Sequence, residues 1–156
     1  MSSTTPVEEI PPAIQGEQGA RLLVVDDDEG VRRTLAEALD EAGHEVTTAA
    51  TGAECLAVLD RDAPDLVLLD YRLPDLDGLR LLEEVRERAP ETLVVMLTGQ
   101  SSVDVAVRAM QGGAFHFLTK PIDLEQITSL VRRALETTRL RREVRQLRRE
   151  RLGESG

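Results

Sequence analysis

The sequence predicts an α/β fold in which five parallel strands form one sheet with helices on both faces. Three observations predict it. Between Arg21 and the C-terminal region, short apolar runs alternate five times with stretches of helical period, the pattern of repeated right-handed crossovers. The first, third and fourth runs are almost continuously apolar, as strands buried on both faces are. Four runs also end on groups suited to phosphate or metal chemistry: Val25 into Asp26-Asp27-Asp28, Leu69 into Asp70, Leu97 into Thr98, and Leu118-Thr119 into Lys120. In an open parallel sheet those ends share one edge, where such folds place their sites.

Residues 1–20 hold Ser, Thr, Glu, Gln and three prolines without apolar period, and are expected to be a disordered leader. Arg21–Val25 is the first strand. The first helix spans Glu29 to Ala42, with Val31, Leu35, Ala38 and Leu39 in phase and Gly43 closing it. Glu45–Ala49 is the most polar strand and hence the expected edge. A second helix starts near Gly52 and buries Cys55, Leu56 and Leu59 before Pro64. Leu66–Leu69 is the third strand, followed by the turn-rich Tyr71–Gly78 and a third helix marked by Leu79, Leu82 and Val85 that stops before Pro90. Thr92–Thr98 is the fourth strand. Ser101 or Ser102 is expected to cap a fourth helix with Val103, Ala106, Val107 and Met110 inward, ended by Gly112-Gly113. After a fifth strand at Ala114–Thr119, Asp123 caps a long last helix whose Ile127, Leu130, Val131, Ala134 and Leu135 face the sheet.

With 156 residues and 41% hydrophobic content, the chain suits one domain plus appendages. Two Phe, one Tyr and no Trp leave few platforms for stacking bases, so direct nucleic-acid binding is not expected. Cys55 is the single cysteine and has no internal disulfide partner; it reads as a small apolar core side chain in a reducing compartment. Without a signal peptide or a long apolar run, a cytoplasmic location is expected and a membrane span is not. The net charge of -10 divides unevenly. Residues 132–151 carry nine Arg against three Glu, leaving an acidic body and a basic tail.

Clustered at one edge, the aspartates would repel one another and need a cation or raised pKa values. Mg2+ suits them, because it prefers oxygen ligands and keeps positions open for water and phosphate. Helix capping explains one of Asp26, Asp27 and Asp28, and a turn after a strand explains Asp70 alone. Neither explains the ordered set with Thr98, a hydroxyl donor, and Lys120, the sole lysine of the chain.

Four stretches, Leu23–Glu29, Asp65–Gly78, Met96–Gly99 and Phe117–Pro121, resemble the signature segments of the receiver domain of two-component response regulators. The resemblance covers about residues 21–136 and implies the doubly wound, flavodoxin-like (βα)5 fold with an extended C-terminal helix. It implies that Asp70 accepts a phosphoryl group from a sensor histidine kinase or a phosphotransfer protein. It further implies that Asp26, Asp27, Asp70 and the backbone carbonyl of Arg72 hold Mg2+, and that Lys120 and Thr98 engage the phosphoryl group. Thr98 and Phe117 would form the switch that alters the fourth-helix, fifth-strand, fifth-helix surface. Phe stands at 117 where many relatives carry Tyr, which removes any read-out through a phenolic hydroxyl. A cis Lys120-Pro121 bond is also implied. Asp28 takes no role from the resemblance. A signalling domain that assists its own phosphorylation and dephosphorylation is expected, rather than an enzyme acting on an external substrate.

Two other classes fit less well. A phosphatase with an aspartyl nucleophile needs an acid two residues on, where Arg72 stands; a nucleotide or flavin module needs a glycine-rich phosphate loop where Asp27-Asp28-Glu29-Gly30 stands. His44 and His116 lack a second ligand at metal-like spacing and are expected to face solvent.

Beyond residue 136 the chain is expected to be a basic helical extension or linker, residues 137–156. Leu140, Val144 and Leu147 follow one another at spacings of four and three amid arginine. A solvated extension, a dimerising helix, and a face for an acidic partner, nucleic acid or membrane lipid are all compatible with it. The expected partners are thus a kinase or phosphotransfer protein, a downstream protein, and a second copy through the receiver face or the C-terminal helix. A single-domain regulator and the front of a longer regulator both fit.

Overall fold

The computed structural model describes residues 19–99 and 103–153. The expected leader therefore lies, but for Gly19 and Ala20, outside the described residues, as does the Ser101 or Ser102 cap.

The elements follow the order β1 (Arg21–Val25), α1 (Glu29–Glu41), β2 (Glu45–Ala49), α2 (Gly52–Arg61), β3 (Leu66–Asp70), α3 (Gly78–Arg88), β4 (Leu93–Thr98), α4 (Val103–Gln111), β5 (His116–Thr119) and α5 (Leu124–Arg151). All pairings between neighbouring strands are parallel, in the order β2-β1-β3-β4-β5. The polar β2 is an edge, as its composition predicts, while β3 and β4 are buried along their whole length. This is the expected doubly wound five-stranded sheet.

Four of the five helices, α1, α2, α3 and α5, start where a side chain satisfies their free amides. Asp28 Oδ1 accepts from Val31 N at 3.1 Å, Thr51 Oγ1 from Glu54 N at 3.1 Å, Asp77 Oδ1 from Leu79 N at 2.7 Å, and Asp123 Oδ1 from Glu125 N at 3.0 Å. Helix α1 ends because Gly43 takes φ 101°, a left-handed conformation that side chains resist.

Alternation along the strands sends residues to two cores. Leu22, Val24, Leu66, Leu68, Val95 and Leu97 pack with α1 and α5. Leu23, Val25, Val67, Leu69, Val94 and Met96 pack with α2, α3 and α4. Fully burying one such side chain contributes about 1.5–3 kcal/mol, so these two layers dominate stability.

Helix α4 departs from expectation. Val105 and Ala109 are buried, whereas Val103, Val107 and Met110 are 80%, 45% and 48% exposed. The helix is apolar round most of its circumference, so periodicity alone left its phase open. The Gly112-Gly113 exit fixes it, with Ala114 N donating to Ala109 O at 3.0 Å. His44 and His116 are half-buried rather than solvent-facing, because each borders a strand.

Candidate functional site

The strand ends converge as the sequence predicts. Asp26 follows β1, Asp70 ends β3, Thr98 ends β4 and Lys120 follows β5. Register holds them together: Asp70 pairs with Leu97, one residue before Thr98, and Thr98 pairs with Thr119, one residue before Lys120. Backbone bonds continue past the strands, with Asp26 N donating to Ala49 O at 3.1 Å and Lys120 N donating to Thr98 O at 2.7 Å.

Asp26, Asp27 and Asp70 each present a carboxylate oxygen within 4.8 Å of the others. Asp26 and Asp70 are 1% and 5% exposed, whereas Asp27 is open to solvent. The Lys120 ammonium donates to Asp26 Oδ2 at 2.8 Å and lies 3.4 Å from Asp70 Oδ1. Asp26 Oδ1 also accepts from Asp28 N at 2.9 Å. The Arg32 guanidinium donates to the carbonyl oxygen of Asp26 at 2.8 Å.

Burial pushes the Asp70 carboxyl up, and the neighbouring Asp26 charge adds to the rise. Lys120 and a hydrogen bond from the Arg72 amide oppose it without cancelling it. For Lys120, burial acts downward, but its hydrogen bond to Asp26 and the charges of Asp26 and Asp70 leave the ammonium above its usual range. The pocket thus holds more negative charge than its own cation neutralises.

A hard cation fits this donor set. Three carboxylate oxygens converge, one on an exposed side chain, and no sulfur or imidazole competes among the described residues. Arg72 sits beside Asp70, where its amide already bonds that carboxylate, and its backbone bridges to Asp77.

Thr98 is buried, at 1% exposure, and Phe117 packs on the core facing α2, α3 and α4. Alternation along β4 puts Thr98 on the same face as Met96, the residue paired with Phe117. The Lys120-Pro121 bond is cis. Asp28 caps α1.

Asp75 plays a part that sequence reasoning missed. Its carboxylate accepts from Gly52 N at 2.8 Å and Ala53 N at 3.0 Å, and these bonds hold its pKa down. The loop leaving Asp70 is thereby tied to the start of α2. The loop is closed at its base as well, where Gly78 N donates to Tyr71 O at 2.8 Å. A Cβ on Gly78 would sit 2.6 Å from Tyr71 Cα, so only glycine fits there. The partners of Asp75 lie 23 and 22 residues away, so no local motif announces them. Arg32 was missed for a similar reason, since in a helix pattern it reads as a solvated arginine.

Comparison with known proteins adds to this geometry. The family model described as the response regulator receiver domain matches residues 22–132. The chain is 45% identical over 112 residues to the DNA-binding transcriptional regulator NtrC of Escherichia coli (strain K12), covering 72% of this chain and 24% of that protein. It is 38% identical over 127 residues to the regulatory protein AtoC of the same organism, covering 81% of this chain and 28% of that protein. The chain thus spans about a quarter of the length of these relatives. Among solved structures, NtrX from Brucella abortus superposes with a TM-score of 0.79 at 41% identity, over 84% of this chain and 30% of that one. A CheY-like receiver domain protein from Methanospirillum hungatei JF-1 gives a TM-score of 0.76 at 30% identity, over 79% of this chain and 98% of that one.

Proposed function

This chain belongs to the response regulator receiver domain family, and from that membership we propose that Asp70 is its phosphoryl acceptor and that the acidic cluster works with Mg2+. The observation that carries the reading is the convergence of Asp26, Asp27 and Asp70 within 4.8 Å around a lysine bonded to two of them.

An Asp70 carboxylate oxygen attacks the phosphorus of a phosphohistidine on a sensor kinase or phosphotransfer protein. The new O–P bond forms as the P–N bond breaks, and the departing imidazole takes its proton from solvent. Asp26, Asp27, Asp70 and the Arg72 carbonyl are the groups that would hold Mg2+. Bound there, the ion supplies positive charge that offsets the carboxylates and the transferring oxygens. Lys120 brings a compact, mobile charge that is shared between Asp26 and Asp70 and is poised to follow a phosphoryl oxygen. The Thr98 hydroxyl is a donor for another phosphoryl oxygen. Drawing Thr98 toward the new group vacates space on the face it shares with Phe117, which couples the chemistry to the surface of α4, β5 and α5.

Two surfaces support the partner reading. Beside Lys120 a cleft of about 500 Å³ is lined by Val31, Thr34, Pro121, Ile122 and Leu124, where a phosphodonor protein can approach the acidic edge. The exposed Val103, Val107 and Met110 offer an apolar face for a downstream protein or a second copy. Among the described residues no helix is long and apolar enough to cross a membrane. We place the domain in the cytoplasm, with output through protein contacts rather than through its own hold on nucleic acid.

The test is incubation with a small acyl phosphate and Mg2+. One acid-stable, base-labile phosphoryl group per chain is expected, absent from Asp70→Asn. Labelling of that variant at the same stoichiometry would reject Asp70 as acceptor. Mg2+ binding is read by isothermal titration calorimetry on the full chain. Asp27→Ala should weaken that titration, and an unchanged curve would remove Asp27 from the ligand set.

A further inference from the structure

The oxygens proposed above to hold Mg2+ come from two loops. One leaves β1 with Asp26 and Asp27; the other leaves β3 with Asp70 and the Arg72 carbonyl. Pairing of β1 with β3 ends at Val25 and Leu69. Beyond that point the sheet no longer sets the distance between the loops, and Asp27 and Arg72 both lie beyond it. Contacts outside the sheet must set it instead.

The loop of β3 is a small ring closed at its base. Tyr71 N donates to Leu97 O at 2.8 Å, Gly78 N donates to Tyr71 O at 2.8 Å, and Arg72 bridges to Asp77. Asp75 stands at the opposite end of the ring. Its two carboxylate oxygens accept from Gly52 N at 2.8 Å and Ala53 N at 3.0 Å, free amides at the start of α2. Leu76 seats beside it. A Cβ on Gly52 would lie 2.7 Å from Leu76 Cδ1, so the bare backbone of Gly52 is what lets the ring come this close.

The start of α2 is tied in turn to the other loop. Asp26 N donates to Ala49 O at 3.1 Å, and only Ala50 and Thr51 separate Ala49 from Gly52. Reciprocal bonds fix those two residues: Thr51 Oγ1 accepts from Glu54 N at 3.1 Å, and Glu54 Oε1 accepts from Ala50 N at 2.8 Å. A continuous path of backbone and hydrogen bonds therefore leads from Asp26 through the end of β2 and the start of α2 to Asp75, and back along the ring to Arg72. With the base of the ring fixed, the Asp75 contact governs its tilt, and with the tilt the distance of the Arg72 carbonyl from Asp26 and Asp27. Asp75 itself is exposed, so water competes for its bonds and the clamp can open without disturbing either core.

We propose that Asp75 is a positioning residue for Mg2+: its carboxylate, clamped on the first amides of α2, holds the two ligand-bearing loops at the spacing the ion requires. The inference rests on the Mg2+ reading above and gives Asp75 no contact with the ion or with the phosphoryl group. Removing a contact that orients metal ligands shifts affinity about 10–100-fold. An exposed clamp that acts through a loop belongs at or below the lower end of that range.

The experiment uses the full chain with Mg2+ alone, followed by isothermal titration calorimetry. Asp75→Ala should raise the dissociation constant about three- to tenfold. Asp75→Asn, which keeps one acceptor oxygen for Gly52 N, should fall between that variant and wild type. The ratio between variant and wild type should persist in about 1 M NaCl, where a Debye length of about 3 Å screens the through-space loss of one negative charge. Labelling by a small acyl phosphate should need correspondingly more Mg2+ for its half-maximal rate, while the rate at saturating Mg2+ stays within about twofold of wild type. Hydrogen exchange without Mg2+ should rise at Gly52, Ala53 and residues 71–77 in Asp75→Ala, and saturating Mg2+ should return residues 71–77 toward wild type. Equal Mg2+ affinity in Asp75→Ala and wild type would overturn the proposal, as would a loss of affinity that vanishes at high salt or comes without faster exchange in residues 71–77. Wild type that binds no Mg2+ would overturn this inference together with the Mg2+ reading beneath it, so the wild-type titration tells the two failures apart.

Discussion

At the carboxyl edge of the sheet Asp26 and Asp70 are withdrawn from solvent and share one ammonium group, whereas at the amino edge the acidic groups meet arginines in the open. There Asp62 pairs with Arg21, and the side chains of Asp62 and Glu91 stay 67% and 65% exposed. Asp65, more enclosed, accepts from Arg21 N at 2.9 Å and from Arg142 at 3.1 Å. Similar charges at the two ends of the same strands therefore carry different energies. Exposed pairs are worth about 0–1 kcal/mol because water already solvates both partners. Buried like charges carry a standing cost that a bound cation or a charge-changing modification can alter. The amino edge directs the tail, and the carboxyl edge stores the imbalance that chemistry can act on.

Removing Lys120 should separate the two edges most sharply. Lys120→Met leaves Asp26 and Asp70 facing each other without their cation, so phosphoryl transfer from a small acyl phosphate should slow by about 10²–10³. Stability without Mg2+ should fall by about 2 kcal/mol, below the ~3–5 kcal/mol for breaking a fully buried pair, since Lys120 is partly exposed. Stopped-flow labelling and urea unfolding read the two effects. A variant that labels at the wild-type rate would put Lys120 among the structural residues of the amino-edge kind.

Much of this contrast is legible in the chain itself. The runs from Arg21, Leu66 and Leu93 are apolar enough to be strands buried on both faces, and the polar Glu45–Ala49 is legible as an edge. The convergence of Asp26, Asp70, Thr98 and Lys120 follows from parallel strands whose ends share one edge. Other features depend on contacts distant in sequence. Asp75 meets α2 only once the loop has folded across it. The phase of α4 is set by its exit turn, because Val103, Val105, Val107 and Ala109 all look alike to a periodicity argument. Nor does the run of arginines reveal that Arg142 and Arg145 reach Asp65 and Glu91, since either face of a basic helix reads as solvated.

Asp70→Asn tests the standing cost of the carboxyl edge directly. The folded-state pKa of Asp70 is raised, so between the unfolded and folded values the unfolded chain has lost the proton that the folded chain keeps. Stability therefore falls as pH rises through that window, and at neutral pH the ionised side chain is a net burden on the apo protein. The variant removes a like charge within 4.8 Å of Asp26 while leaving Lys120 its 2.8 Å partner. It should be more stable than wild type without Mg2+, by about 1 kcal/mol. The gain should shrink as pH falls through the folded-state value, where wild-type Asp70 is protonated as well. Thermal unfolding against pH checks this, and a variant less stable than wild type at neutral pH would mean that the Lys120 contact outweighs the repulsion.

The smallest effect belongs to the amino edge. Arg142→Ala and Arg145→Ala each delete one exposed pair, so each should change unfolding free energy by no more than about 0.5–1 kcal/mol. Labelling of Asp70, at the far ends of the strands, should not change at all. The direction of the tail should change more than its stability does, because the two pairs anchor neighbouring turns of α5 to the loops entering β3 and β4. Removing both frees the helix beyond Thr138, the last residue of the buried stripe. Hydrogen exchange should then rise in residues 139–151 and stay at wild-type levels in residues 124–135, whose apolar contacts are untouched. Exchange that stays unchanged in the tail would show that the helix holds its course by backbone bonding alone, and that the arginines at this edge add charge without direction.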